Sequence, residues 1–121
     1  MGRKILVVDD EKDLLDLMDI ILGAEGFSVI TAVNGSEALT KVEEEHPDLI
    51  LLDIMMPVMD GWEVLKTLKN SEETSRIPVV MVTAKIGNED RRRGLAEGAA
   101  DYICKPFAPR EVINRVKVLL S

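Results

Sequence analysis

Aromatic residues are scarce in this chain: two Phe, one Tyr and one Trp among 121 residues. Any core must be assembled from Val, Ile, Leu and Met instead. Only one cysteine, Cys104, and one histidine, His46, occur, which excludes an intrachain disulfide and leaves no His and Cys set for zinc. His46, in a polar stretch, is expected to be a plain surface residue, and Cys104 a small buried thiol. No apolar run approaches the ~20 residues of a membrane span. Met-Gly-Arg-Lys leads directly into Ile5 to Val8, and Leu6 stands where a myristoylation motif wants Ser or Thr. No leader, anchor or membrane partner is expected, and cytoplasmic residence is the default. Basic residues are outnumbered, 15 against 22 acidic, for a formal net charge of -7. A surface that binds nucleic acid directly is therefore excluded, and any link to DNA runs through a partner or a further domain.

What is present is ordinary globular composition, 46% hydrophobic and 31% charged, in a length that suits one compact domain over 1–121. Five short aliphatic runs read as strands: Lys4 to Val8, Phe27 to Ala32, Leu49 to Leu52, Pro78 to Val82 and Asp101 to Cys104. The first, third and fourth are almost continuously apolar, as strands covered on both faces of a parallel sheet should be. Helical spacing fills the gaps. Leu14, Leu15, Met18, Ile21 and Leu22 share one face of a helix from about Glu11 to Glu25 that Gly26 ends. Asn34-Gly35-Ser36 signals a second helix, and Val64, Leu65 and Leu68 mark a third. A weaker fourth runs from about Asn88 to Glu97, and a fifth starts near Pro109. The polar stretch Ser71 to Arg76 is the one loose segment. Fivefold βα alternation predicts a doubly wound α/β fold with a five-stranded parallel sheet, and ligands beyond the carboxyl ends of the strands.

That edge collects chemistry. The first strand ends in Asp9-Asp10, the third in Asp53, the fourth in Thr83 and the fifth in Lys105. Three gathered carboxylates repel one another, by roughly 4 kcal/mol for unit charges ~4 Å apart at an effective dielectric of 20. A divalent cation removes that conflict, and magnesium fits oxygen-only donors best. Taken singly, each residue has a plainer explanation: Asp10 as a helix cap, Thr83 as a capping hydroxyl, Lys105 as a solvated charge. Taken together they suit a carboxylate that attacks phosphorus while a metal and an ammonium group cancel the repulsion.

The segments ILVVDDE (5–11), LILLDIMMPVMDG (49–61), VTA (82–84) and DYICKPF (101–107) closely resemble the receiver domain of two-component response regulators, the CheY-like family, over the whole chain. The resemblance implies a flavodoxin-like strand order 2-1-3-4-5. It makes Asp53 the phosphoryl acceptor, served by a sensor histidine kinase or phosphotransfer protein. Asp9, Asp10, Asp53 and the backbone carbonyl of Met55 would bind Mg2+. Thr83 and Lys105 would contact the phosphoryl group, Lys105-Pro106 would be a cis peptide, and Pro57 and Gly61 would shape the loop after the acceptor. Tyr102 matches the family's switch aromatic, which turns from exposed to buried as Thr83 moves. Met55 and Lys85 would lie beside the path of hydrolytic water, with slow self-dephosphorylation expected.

The implied output face is the fourth helix, fifth strand and fifth helix. Arg91, Asp101, Glu111 and Arg115 there are arranged as in receivers of the OmpR/PhoB type, which pair as homodimers through it; a solvated mixed-charge surface is the alternative. Two rival functions fit less well. A haloacid dehalogenase-like phosphatase resembles Asp-x-Asp-x-Thr, whereas Ile54 and Met55 follow Asp53. A flavodoxin-like cofactor carrier needs a phosphate loop after the first strand, where Asp9 to Asp13 would repel phosphate. The chain is therefore expected to be a phosphorylation-controlled switch rather than a turnover enzyme.

Overall fold

The computed structural model describes residues 2–84 and 88–121, and the side chains of 88–91 stand outside that description. Five strands, β1 (Lys4–Val8), β2 (Ser28–Ala32), β3 (Leu49–Asp53), β4 (Val79–Thr83) and β5 (Asp101–Cys104), alternate with α1 (Lys12–Gly23), α2 (Gly35–Glu45), α3 (Gly61–Lys69), α4 (Asn88–Ala96) and α5 (Pro109–Leu120). The sheet is wholly parallel in the expected order β2-β1-β3-β4-β5. Successive side chains of the inner strands enter opposite faces, which is why those strands are apolar along almost their whole length. Leu6, Val8, Ile50, Leu52, Val79 and Met81 form one core with residues of α2 and α3. Ile5, Val7, Leu49, Leu51, Val80 and Val82 form the other with α1 and α5.

Local chemistry sets the ends of the elements. Asn34 caps α2 by accepting from the Glu37 N–H, and Asp60 caps α3 by accepting from the Glu63 N–H. After α1 the chain turns through Gly26 at φ +93°, and the Phe27 N–H reaches back to the Leu22 carbonyl. His46 is exposed, as expected, and its backbone also closes α2 in the left-handed region at φ 50°. The stretch Ser71 to Arg76 is not loose. Thr74 Oγ1 donates to the Leu68 carbonyl, and Lys69 Nζ donates to the Ser75 and Ile77 carbonyls at 2.9 and 3.0 Å, tying the turn to the end of α3. Burial there lowers the Lys69 pKa, and its ammonium stands in for the backbone partners that the turn lacks.

Gly61 positions α3 against the strand that carries Asp53. Its N–H donates to the Ile54 carbonyl at 2.9 Å, and a Cβ there would collide with the Asp53 carbonyl oxygen and come within 2.7 Å of the Ile54 Cα. Backbone cannot yield as a flexible side chain can. Gly61→Ala is expected to destabilise the fold by about 1–3 kcal/mol, read as a lower urea midpoint with unchanged slope. An unchanged midpoint would refute the close approach.

Candidate functional site

Parallel register builds the site. Val8 lies opposite Leu52 and Asp53 opposite Val82, so Asp9 follows β1 beside the end of β3, and Thr83 ends β4 one residue further on. Thr83 faces Cys104, and the Lys105 N–H donates to the Thr83 carbonyl at 2.8 Å. Asp53 and Thr83 are thus the last residues of their strands, and Asp9 and Lys105 the first residues after theirs. Asp9, Asp53 and Thr83 are buried, Asp53 at 5% exposure, while Asp10 is exposed. The Lys105-Pro106 peptide is cis.

Carboxylate oxygens of Asp9, Asp10 and Asp53 lie within 4.8 Å of one another. Lys105 Nζ enters this group, 2.7 Å from Asp9 Oδ2, 3.6 Å from Asp53 Oδ2 and 3.9 Å from Glu11 Oε1. Asp53 Oδ1 accepts the Met55 N–H at 3.2 Å, and Asp9 Oδ1 accepts the Glu11 N–H at 2.9 Å. One ammonium against the three aspartates leaves a formal excess of two negative charges. The conflict registers at Asp53. Burial pushes its carboxyl up to about 6, the Asp9 charge adds to this, Lys105 and the Met55 N–H oppose it, and Asp10 raises it further. Burial weakens the charge on Lys105, but its hydrogen bond to Asp9 and the charges of Asp53, Asp9 and Glu11 outweigh that and raise its pKa. A hard divalent cation with oxygen ligands fits this donor set, because its charge equals the excess.

Other expected residues fall as follows. Tyr102 is buried, its ring in the core beneath α4. Met55 is exposed. Lys85 and the Arg91 side chain lie outside the described residues. Cys104 is exposed, not buried: β5 is an edge strand, and its last residue stands beyond the cover given to Tyr102 and Ile103. Asp101 and Arg115 pair with each other within the chain. Asp9, rather than Asp10, satisfies the backbone at the start of α1. Sequence reasoning missed Val58, fully exposed at φ 70°, a strained conformation for a β-branched residue. The neighbouring turn residues Pro57, Asp60 and Gly61 were the only signal for it.

Fold and site together define a doubly wound α/β domain that gathers three carboxylates and a lysine at its switch point. A family model described as response regulator receiver domain matches residues 5–117, and the chain belongs to that family, whose general function is to accept a phosphoryl group on an aspartate. It is 50% identical over 120 residues to the alkaline phosphatase synthesis transcriptional regulatory protein PhoP of Bacillus subtilis, a match that covers 99% of this chain and 49% of that regulator. The chain thus spans about half the length of this curated relative. Among solved structures, chemotaxis protein CheY4 of Vibrio cholerae superposes with a TM-score of 0.93 at 31% identity, covering 98% of this chain and 99% of that one. A CheY-like receiver domain protein of Methanospirillum hungatei gives 0.92 at 35% identity, covering 99% and 94%.

The raised Asp53 pKa has a thermodynamic consequence for the metal-free protein. The folded state holds a proton on Asp53 up to about pH 6, the unfolded state only to about 3.8. This group's contribution to stability is therefore most favourable below the unfolded value and is lost as pH rises through the folded one. Asp53→Asn removes the charge, so at pH 8 without divalent metal the variant should be more stable than wild type by roughly 1–3 kcal/mol. The gap should close by about pH 4. Thermal unfolding across pH reads it, and a variant no more stable at the alkaline end refutes the raised Asp53 pKa.

Proposed function

We propose that the chain works as a phosphorylation-controlled switch in which Asp53 takes a phosphoryl group from a sensor histidine kinase or a phosphotransfer protein. The observation that carries this reading is the convergence of Asp9, Asp10 and Asp53 within 4.8 Å with Lys105 among them. Asp9, Asp10, Asp53 and the backbone carbonyl of Met55 would hold magnesium. When bound, it supplies the positive charge that lets an anionic donor approach an anionic carboxylate. Everything else is done by the chain itself.

The Met55 N–H and Lys105 fix the Asp53 carboxylate from two sides. One of its oxygens forms the new O–P bond as the donor's P–N bond breaks, and the electron pair of that bond stays with the imidazole. Lys105 exchanges Asp9 for a phosphoryl oxygen, and the Thr83 hydroxyl donates to another. The acyl phosphate adds negative charge and acceptor oxygens beside Thr83, which biases the packing around Tyr102. A groove of about 360 Å³ runs from Lys105 past Pro106 and Phe107 to Leu14 and Leu17 on α1. Its apolar floor beside the acceptor supports approach of a partner helix from this side.

Incubation of the chain with acetyl phosphate and magnesium should add one phosphoryl group by mass spectrometry. Asp53→Asn, or addition of EDTA, should abolish the adduct, and Lys105→Ala should slow its formation by about 10²-fold or more. Labelling that persists in Asp53→Asn would sink the assignment.

The phosphorylated chain is further proposed to pair as a homodimer through α4, β5 and α5, with Asp101, Glu111, Arg115 and Arg91. Exposed Leu95 and Val118 on α4 and α5 support an interface there. Arg115 is 43% exposed in its pair with Asp101, so that pair contributes only about 0–1 kcal/mol to the protomer. Arg115→Ala should accordingly leave the urea midpoint nearly unchanged while weakening the dimer of the phosphorylated protein by about tenfold, measured by sedimentation. Equal dimer affinity would remove Arg115 from the interface.

A further inference from the structure

α4 rests on the body of the domain through a residue without a side chain. Of its described side-chain positions, 92–96, only Gly94 is buried. A glycine in a helix interior is disfavoured relative to alanine unless something needs the space. Here the space is used by Tyr102: a Cβ on Gly94 would stand 3.1 Å from Tyr102 Cε2 and 3.2 Å from Cδ2, tighter than ordinary van der Waals contact. The ring of the one tyrosine therefore lies flush against the backbone of α4.

Which partner yields to an added methyl is decided by what holds each. The Gly94 carbonyl accepts the Ala99 N–H at 2.8 Å, the bond that closes the C-terminal end of α4 where Gly98 turns at φ +101°. The next residue back, Arg93, lies with its guanidinium 4.3 Å from the centre of the Trp62 ring on α3 and pairs with Glu97 at 3.5 Å. The residue before Gly94 thus holds the helix on α3, and the Gly94 carbonyl is engaged in closing the helix end. The Tyr102 ring turns about side-chain torsions at the edge of the sheet and is the easier group to move.

We infer that Gly94 is a positioning residue for the switch: its bare backbone is the seat that lets Tyr102 occupy the buried orientation, so an alanine at 94 drives the ring outward. This rests on the reading of Tyr102 as the aromatic whose burial accompanies phosphorylation of Asp53. The buried ring and the phosphorylated acceptor favour each other by linkage, and a residue that expels the ring must also disfavour phosphoryl uptake.

The test compares wild type, Gly94→Ala, Tyr102→Leu and the double variant. Ring-proton chemical shifts and solvent accessibility of Tyr102, measured by NMR without phosphodonor, should move to exposed values in Gly94→Ala. The ratio of phosphorylated to unphosphorylated chain reached at equilibrium with a fixed acetyl phosphate concentration should fall by about fivefold in Gly94→Ala. In the Tyr102→Leu background, which lacks the ring edge, the same substitution should leave that ratio unchanged. A Tyr102 ring that stays buried in Gly94→Ala overturns the inference, as does an equal fall in phosphorylation in both backgrounds. Should Gly94→Ala fail to fold, folding of the double variant supports the seat and its failure to fold overturns it. A wild-type chain that takes up no phosphoryl group fails the function proposed above, whereas ring position measured without donor judges Gly94 by itself.

Discussion

The interaction on which the site depends is a lysine ammonium lodged among carboxylates it cannot fully neutralise. Lys105 Nζ hydrogen-bonds Asp9 at 2.7 Å and lies 3.6 Å from Asp53. Taking charged groups out of water is expensive, and a buried ion pair recovers that cost only with good geometry and near neutrality. Here neutrality is missing by two charges, and burial first, then the neighbouring Asp9 charge, raises the pKa of Asp53. Such a site is poised to take cations and to discharge onto an electrophile. It is poorly suited to being a mere structural bridge, which would carry a matching number of charges.

Parallel strand geometry maintains that imbalance. A parallel sheet brings every carboxyl end to the same edge, and the register sets Asp9, Asp53, Thr83 and Lys105 on successive strands at neighbouring heights. Two cores clamp the sheet from both faces, so the acids cannot separate to relieve their repulsion. Gly61, pressed on the backbone of Asp53, holds the following loop just as firmly. Strain accordingly appears in that loop, at Val58, where a branched side chain is carried in the left-handed region.

Strands, helices, sheet order and the acidic site were legible because each rests on a local signal: continuous aliphatic runs, helical spacing, and charged residues placed immediately after apolar ones. What was not legible depends on neighbours distant in sequence. Cys104 looked like a buried thiol by residue type, but the position lies on the last residue of an edge strand. Ser71 to Arg76 looked loose by composition, yet Lys69 Nζ reaches from the preceding helix to donate to its carbonyls. Asp9 and Asp10 are adjacent acids, and only the path of the chain decides which one turns inward to the Glu11 N–H. The intrachain pairing of Asp101 with Arg115 likewise requires α5 to lie beside β5, which sequence spacing alone does not specify.

The helices are unequally committed to the sheet, and this gives the site a direction. On the α1 and α5 side, Leu15, Met18, Leu22, Val112, Ile113 and Val116 are buried against the strands, and displacing either helix would expose several large side chains at ~1.5–3 kcal/mol each. On the other side α2 and α3 are as deeply buried, but α4 offers only Gly94 to the core among its described side chains. Elements that move in a switch are drawn from the least stabilised parts of a fold. In the switch proposed above, a change of charge at Asp53 would pass along the edge to Thr83, whose strand is paired with that of Tyr102. From there the least costly rearrangement lies toward α4, since the other helices would have to break a continuous core to respond.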